Sequence, residues 1–70
     1  MAYSLDSSVN RLAKVEGLLD AIQEITGTKV TAGMLAMGGN MSLMGAGGMV
    51  GWTEEQMQKI VDYANSKDPA

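Results

Sequence analysis

The 70-residue chain contains no cysteine and no histidine. Without cysteine there is no disulfide to brace a small domain and no thiolate nucleophile. Without histidine no side chain exchanges protons near neutral pH. With both absent, a transition-metal site would fall to carboxylates alone, and no metal or cofactor is expected. The serines have no imidazole to activate them, so catalysis is not expected either.

An excess of positive charge is also missing. The net charge of −3 divides as −1 over Met1 to Lys29 and −2 over Thr53 to Ala70, with a basic patch in neither part. That argues against binding nucleic acid by phosphate neutralisation and against electrostatic docking on anionic lipid. The opening residues, MAYSLDSSVNRL, lack a basic region followed by an apolar one and do not read as a signal peptide. The expected location is the cytoplasm or the inside of an assembled particle, with membrane association left open.

The third absence is of charge in the middle of the chain, where no Asp, Glu, Lys or Arg occurs from Val30 to Thr53. That length could cross a bilayer core. Its only strongly apolar members, however, are Val30, Leu35, Leu43 and Val50, set among Asn40, Ser42 and many glycines. The stretch is a poor stable span and a fair transient inserter.

What the chain does have falls into three parts. Leu5, Val9, Leu12, Val15, Leu19, Ile22 and Ile25 recur by threes and fours, predicting an amphipathic helix over about residues 5–26. Ser4 or Asp6 could cap its start and Gly27 end it, with Gly17 inside at some cost. A second helix, over about 53–67, opens with a capping box. There Thr53 and Gln56 can bond each other's backbone N–H, and Trp52 can staple onto Met57. Glu54 and Glu55 favour the first turn, Met57, Ile60, Val61 and Ala64 form one face, and Pro69 marks the stop.

Between them, Gly33 to Trp52 hold seven of nine glycines and five of seven methionines. The stretch repeats weakly every seven residues: Met34 and Met37 recur as Met41 and Met44, and Gly38 as Gly45. In a continuous helix the four methionines would form a stripe beside Gly38, Ser42 and Gly45. So many glycines cannot hold a helix alone in water, so the segment should be ordered only when packed. The alternatives are a loop folded over the two helices and a membrane-inserting segment.

The predicted fold is therefore all-α, a single small helical domain with two amphipathic helices joined by a Gly/Met-rich segment at 30–52. Other motifs carry little weight. GAGGMVGW has no following lysine to make a phosphate-binding loop, Asn40-Met41-Ser42 matches a glycosylation acceptor by chance, and Gly38-Gly39 lacks the bulky upstream residues of a leader cleavage site. Glu16, Asp20 and Glu24, spaced by fours, would form an acidic ridge on the first helix, read as a solvated face.

The expected function is that of a small non-enzymatic structural or assembly protein, such as a component of a viral or other multi-subunit particle. It would associate with itself or a larger protein partner through Met34, Met37, Gly38, Met41, Ser42, Met44, Gly45, Met49, Trp52, Met57, Ile60 and Val61. A holin-like or penetrating membrane peptide is the second reading, and a small helical regulatory module the third. The capping box gives a direct check: Thr53→Ala should lower stability by about 1 kcal/mol in chemical denaturation.

Overall fold

The run of threes and fours from Leu5 to Ile25 contains one residue that a continuous helix cannot use as it stands. Gly17 sits at φ 77°, ψ 2°, a left-handed conformation that glycine adopts without steric cost. In the computed structural model, which describes residues 3–67, the expected single helix is therefore two: α1, Val9–Ala13, and α2, Leu18–Thr26. Space enforces the break as well as backbone, because a Cβ on Gly17 would collide with the Tyr63 hydroxyl, which donates to the Glu16 carbonyl at 3.3 Å. The expected caps are also displaced. Ser8 caps α1, accepting from the Arg11 N–H at 3.2 Å, while Ser4 accepts from the N–H of Asp6 within a turn. Gly27 closes α2 at φ 77° as expected.

The fold is all-α, with three further helices among the described residues: α3, Ala32–Gly38; α4, Leu43–Val50; and α5, Glu54–Lys67. α5 starts where the sequence places it. Gln56 N–H donates to Thr53 Oγ1 at 3.1 Å, and Thr53 N–H donates to Gln56 Oε1 at 2.9 Å. Pro69 lies outside the described residues.

Although the first helix is broken, Leu12, Val15 and Ile22 of its predicted face are buried, with Leu18 buried in place of Leu19, which is only partly covered. Leu12, Val15, Leu18 and Ile22 pack with Met57, Ile60, Val61 and Ala64 of α5, and with Tyr3 and Leu43, in one core. Leu43 is the one large side chain of the Gly/Met stretch in this core. The chain leads into the core by way of Tyr3, whose N–H donates to Asn65 Oδ1 and whose carbonyl accepts from Asn65 Nδ2, both at 3.1 Å.

The Gly/Met stretch is not one continuous helix. Gly38 ends α3, and Ser42, extended at φ −64°, ψ 156°, restarts the chain as the cap of α4, accepting from Gly45 N–H at 3.1 Å. Residues 39–44 run antiparallel to residues 5–10, with a single bridge between Ser8 and Ser42. Val9 N–H donates to the Met41 carbonyl at 3.0 Å and Leu43 N–H to the Ser7 carbonyl at 2.9 Å. Asn10 N–H donates to Gly39 at 2.9 Å and Met44 N–H to Leu5 at 3.1 Å.

Close approach falls on glycines other than Gly38 and Gly45. A Cβ on Gly47 would meet Met57 Sδ and stand 3.2 Å from Trp52 Cε3, so α4 rests on the Trp52–Met57 staple through bare backbone. A Cβ on Gly39 would collide with the Asn10 side chain and the Leu35 carbonyl. Gly48, one residue from Gly47 and helical, faces open space. These neighbours should respond with opposite sign in chemical denaturation. Gly47→Ala should cost about 1–3 kcal/mol by overpacking, and Gly48→Ala should gain up to about 1 kcal/mol from helix propensity.

Candidate interaction surface

With Leu43 taken by the core and Val30 and Trp52 packed against it, several other large apolar side chains of the uncharged stretch stay outside. Met37 is 92% exposed and Met49 76%, against 4% for Met57, and Met34, Met44 and Val50 are exposed as well. Clustered apolar exposure of this kind is uncommon on a soluble monomer.

Most of these side chains share one groove of about 270 Å³. From α3 come Met34, Leu35, Met37 and Gly38; from α4 come Ala46, Met49 and Val50; Val9, Val30, Met41 and Trp52 complete it. None of these side chains is ionisable. Two polar links hold its margin. The Trp52 indole N–H donates to Thr28 Oγ1 at 3.2 Å, and the Thr28 N–H donates to Thr26 Oγ1 at 3.1 Å, itself bonded to the Ile22 carbonyl at 2.7 Å. The loop from α2 to α3 is thereby tied to the entrance of α5. On the opposite side, the pairing of residues 5–10 with 39–44 sets Val9 beside Met41.

The structure thus brings together Met34, Met37, Gly38, Met41, Met49 and Trp52 of the residues singled out from sequence. Met44 is exposed but lies off the groove, Ser42 is spent as a helix cap, and Gly45 is exposed beside the Ser42 hydroxyl. Met57, Ile60 and Val61 are corrections to the surface reading, since the apolar face of α5 is buried against α2 within the chain. Val9, Val30, Leu35, Ala46 and Val50 were not singled out. Val30, Leu35 and Val50 stood out as apolar in the uncharged stretch, but nothing in the local pattern around Val9 points to a groove 30 residues further on.

The acidic ridge does not form as expected, because Glu16 precedes the break at Gly17 while Asp20 and Glu24 lie on α2. Among the described residues no group of three or more His, Cys, Asp or Glu side chains could hold a metal ion. A second concavity, about 390 Å³, follows residues 13–20 around the bend from α1 to α2. One continuous run of chain lines it, so it is the inside of a bend. Also among the described residues, no helix is long and apolar enough to cross a membrane.

No family model, no curated protein and no solved structure matches this chain. The exposure pattern is open to direct measurement. On brief peroxide treatment, Met37 and Met49 should become sulfoxides well before Met57, as read by peptide mass spectrometry.

Proposed function

We propose that this is a small non-enzymatic assembly protein that associates with copies of itself, or docks on a larger subunit, through the α3–α4 groove. The observation that carries the reading is the methionine-lined groove on a stretch free of charge, flanked by the highly exposed Met37 and Met49. Methionine suits such a surface because its unbranched, polarisable side chain fills irregular gaps in a partner. Charge supports the reading too. All ionisable side chains belong to residues 1–29 and 54–70, so nothing on the groove must be stripped of water and paired when it is covered.

A component of a larger particle, viral or otherwise, fits a chain of 7.4 kDa with this surface. The test is sedimentation equilibrium of the native chain beside Met37→Lys/Met49→Lys. The native chain should sediment as an oligomer and the double variant as a monomer with unchanged helicity. A monomeric native chain that floats with neutral phosphatidylcholine vesicles would replace this reading with the membrane-active one. A monomer that does neither would refute self-association and leave only docking on a larger subunit.

A further inference from the structure

Carboxylates are not the only donors left to a chain without cysteine or histidine, for the thioether of methionine is a soft ligand. Met34 and Gly38 lie four apart on α3 and so share a face, with Met37 one turn from Met34. Gly38 leaves room on that face, where a Cβ would stand 4.0 Å from Met41 Sδ. The sulfur of Met41 therefore lies beside Gly38 at the end of α3. Met49 reaches the same groove from α4.

We propose that the groove is a binding site for one soft monovalent d10 cation, Cu(I) in chemical class, held by the thioethers of Met34, Met37 and Met41, with Met49 as a neighbouring fourth donor. Met37 is almost wholly exposed, so its thioether is open to an ion arriving from solvent. The surroundings suit a soft ion of low charge and no other. The groove has no carboxylate to attract Ca²⁺, Mg²⁺ or Mn²⁺, no imidazole or thiolate for Zn²⁺, and its indole N–H is already bonded to Thr28. Thioethers are neutral, so binding releases no protons and needs none removed, and it leaves one positive charge on an otherwise uncharged surface. The site stands whether or not the groove is also an assembly surface.

The experiment titrates the full chain with Ag(I), and separately with Cu(I) kept reduced by ascorbate, reading stoichiometry by native mass spectrometry. The sole tryptophan, Trp52, lies on the groove and reports occupancy by fluorescence quenching. One ion per chain is expected, with no response to Zn²⁺. The variant Met34→Leu/Met37→Leu/Met41→Leu should lose the ion while keeping its helicity. Met44→Leu, off the groove, should bind as the native chain does. Should the triple variant lose helicity, the methionine ε-methyl resonances of the native chain decide: those of Met34, Met37 and Met41 should shift with Ag(I) and that of Met57 should not. No adduct with either ion, retention of the ion by a folded triple variant, equal loss in Met44→Leu, or equal shifts of all methionine methyls would each overturn the proposal.

Discussion

The N-termini of α1 and α4 meet, and each completes the other. The first turn of any helix leaves backbone N–H groups without partners in the helix itself. Here Val9 and Asn10 give theirs to the carbonyls of Met41 and Gly39, while Leu43 and Met44 give theirs to Ser7 and Leu5. Arg11 and Gly45, one position further on, bond the hydroxyls of Ser8 and Ser42. Two short helices with no acidic residue in either first turn are thus capped by a reciprocal arrangement of backbone and serine. The same exchange delivers Leu43 to the core and holds Val9 beside Met41 at the groove.

From that junction the division of labour follows. α2 and α5, which carry strong amphipathic patterns, bury their apolar faces on each other and supply most of the core. The Gly/Met stretch gives the core Leu43 and the flat backbone of Gly47, and leaves its methionines outside. A glycine at 47 lets α4 lie directly on the Trp52–Met57 staple, so the cap that starts α5 also seats α4.

Legibility tracked how local each determinant was. The start of α5 was readable because Thr53, Gln56, Trp52 and Met57 act within one turn and in sequence order. Much of the buried face of the first helical stretch was readable too, in Leu12, Val15 and Ile22, but the break shifts the phase so that Leu18 is buried in place of Leu19. The break itself was not: Gly17 turns left-handed where Tyr63, far along the chain, occupies the space of a side chain. The heptad of methionines failed as one helix for a similar reason. Ser42 is a good cap by type, but the strand-like partner that draws it out of the helix, Ser8, lies in another part of the sequence. Of the stripe at 34, 37, 41 and 44, the groove between α3 and α4 gathers the first three, while Met44 lies off it and Met49 joins from α4. Which glycines touch something depended on those same distant packings, so Gly39 and Gly47 were passed over for Gly38 and Gly45.

The pairing of residues 5–10 with 39–44 also sets the order in which structure can form. A helix as short as the five residues of α1 cannot nucleate by itself, because the first turn fixes several dihedral angles for a single bond. Its N–H partners arrive only when the middle of the chain folds back, and α4, rich in glycine, waits on the same event. Tyr3 and Asn65 add a closure between residues 62 apart. Small helical proteins ordinarily fold fast because their contacts are local. This one has tied its weakest helices to distant chain, so α1 and α4 depend on one and the same loop closure.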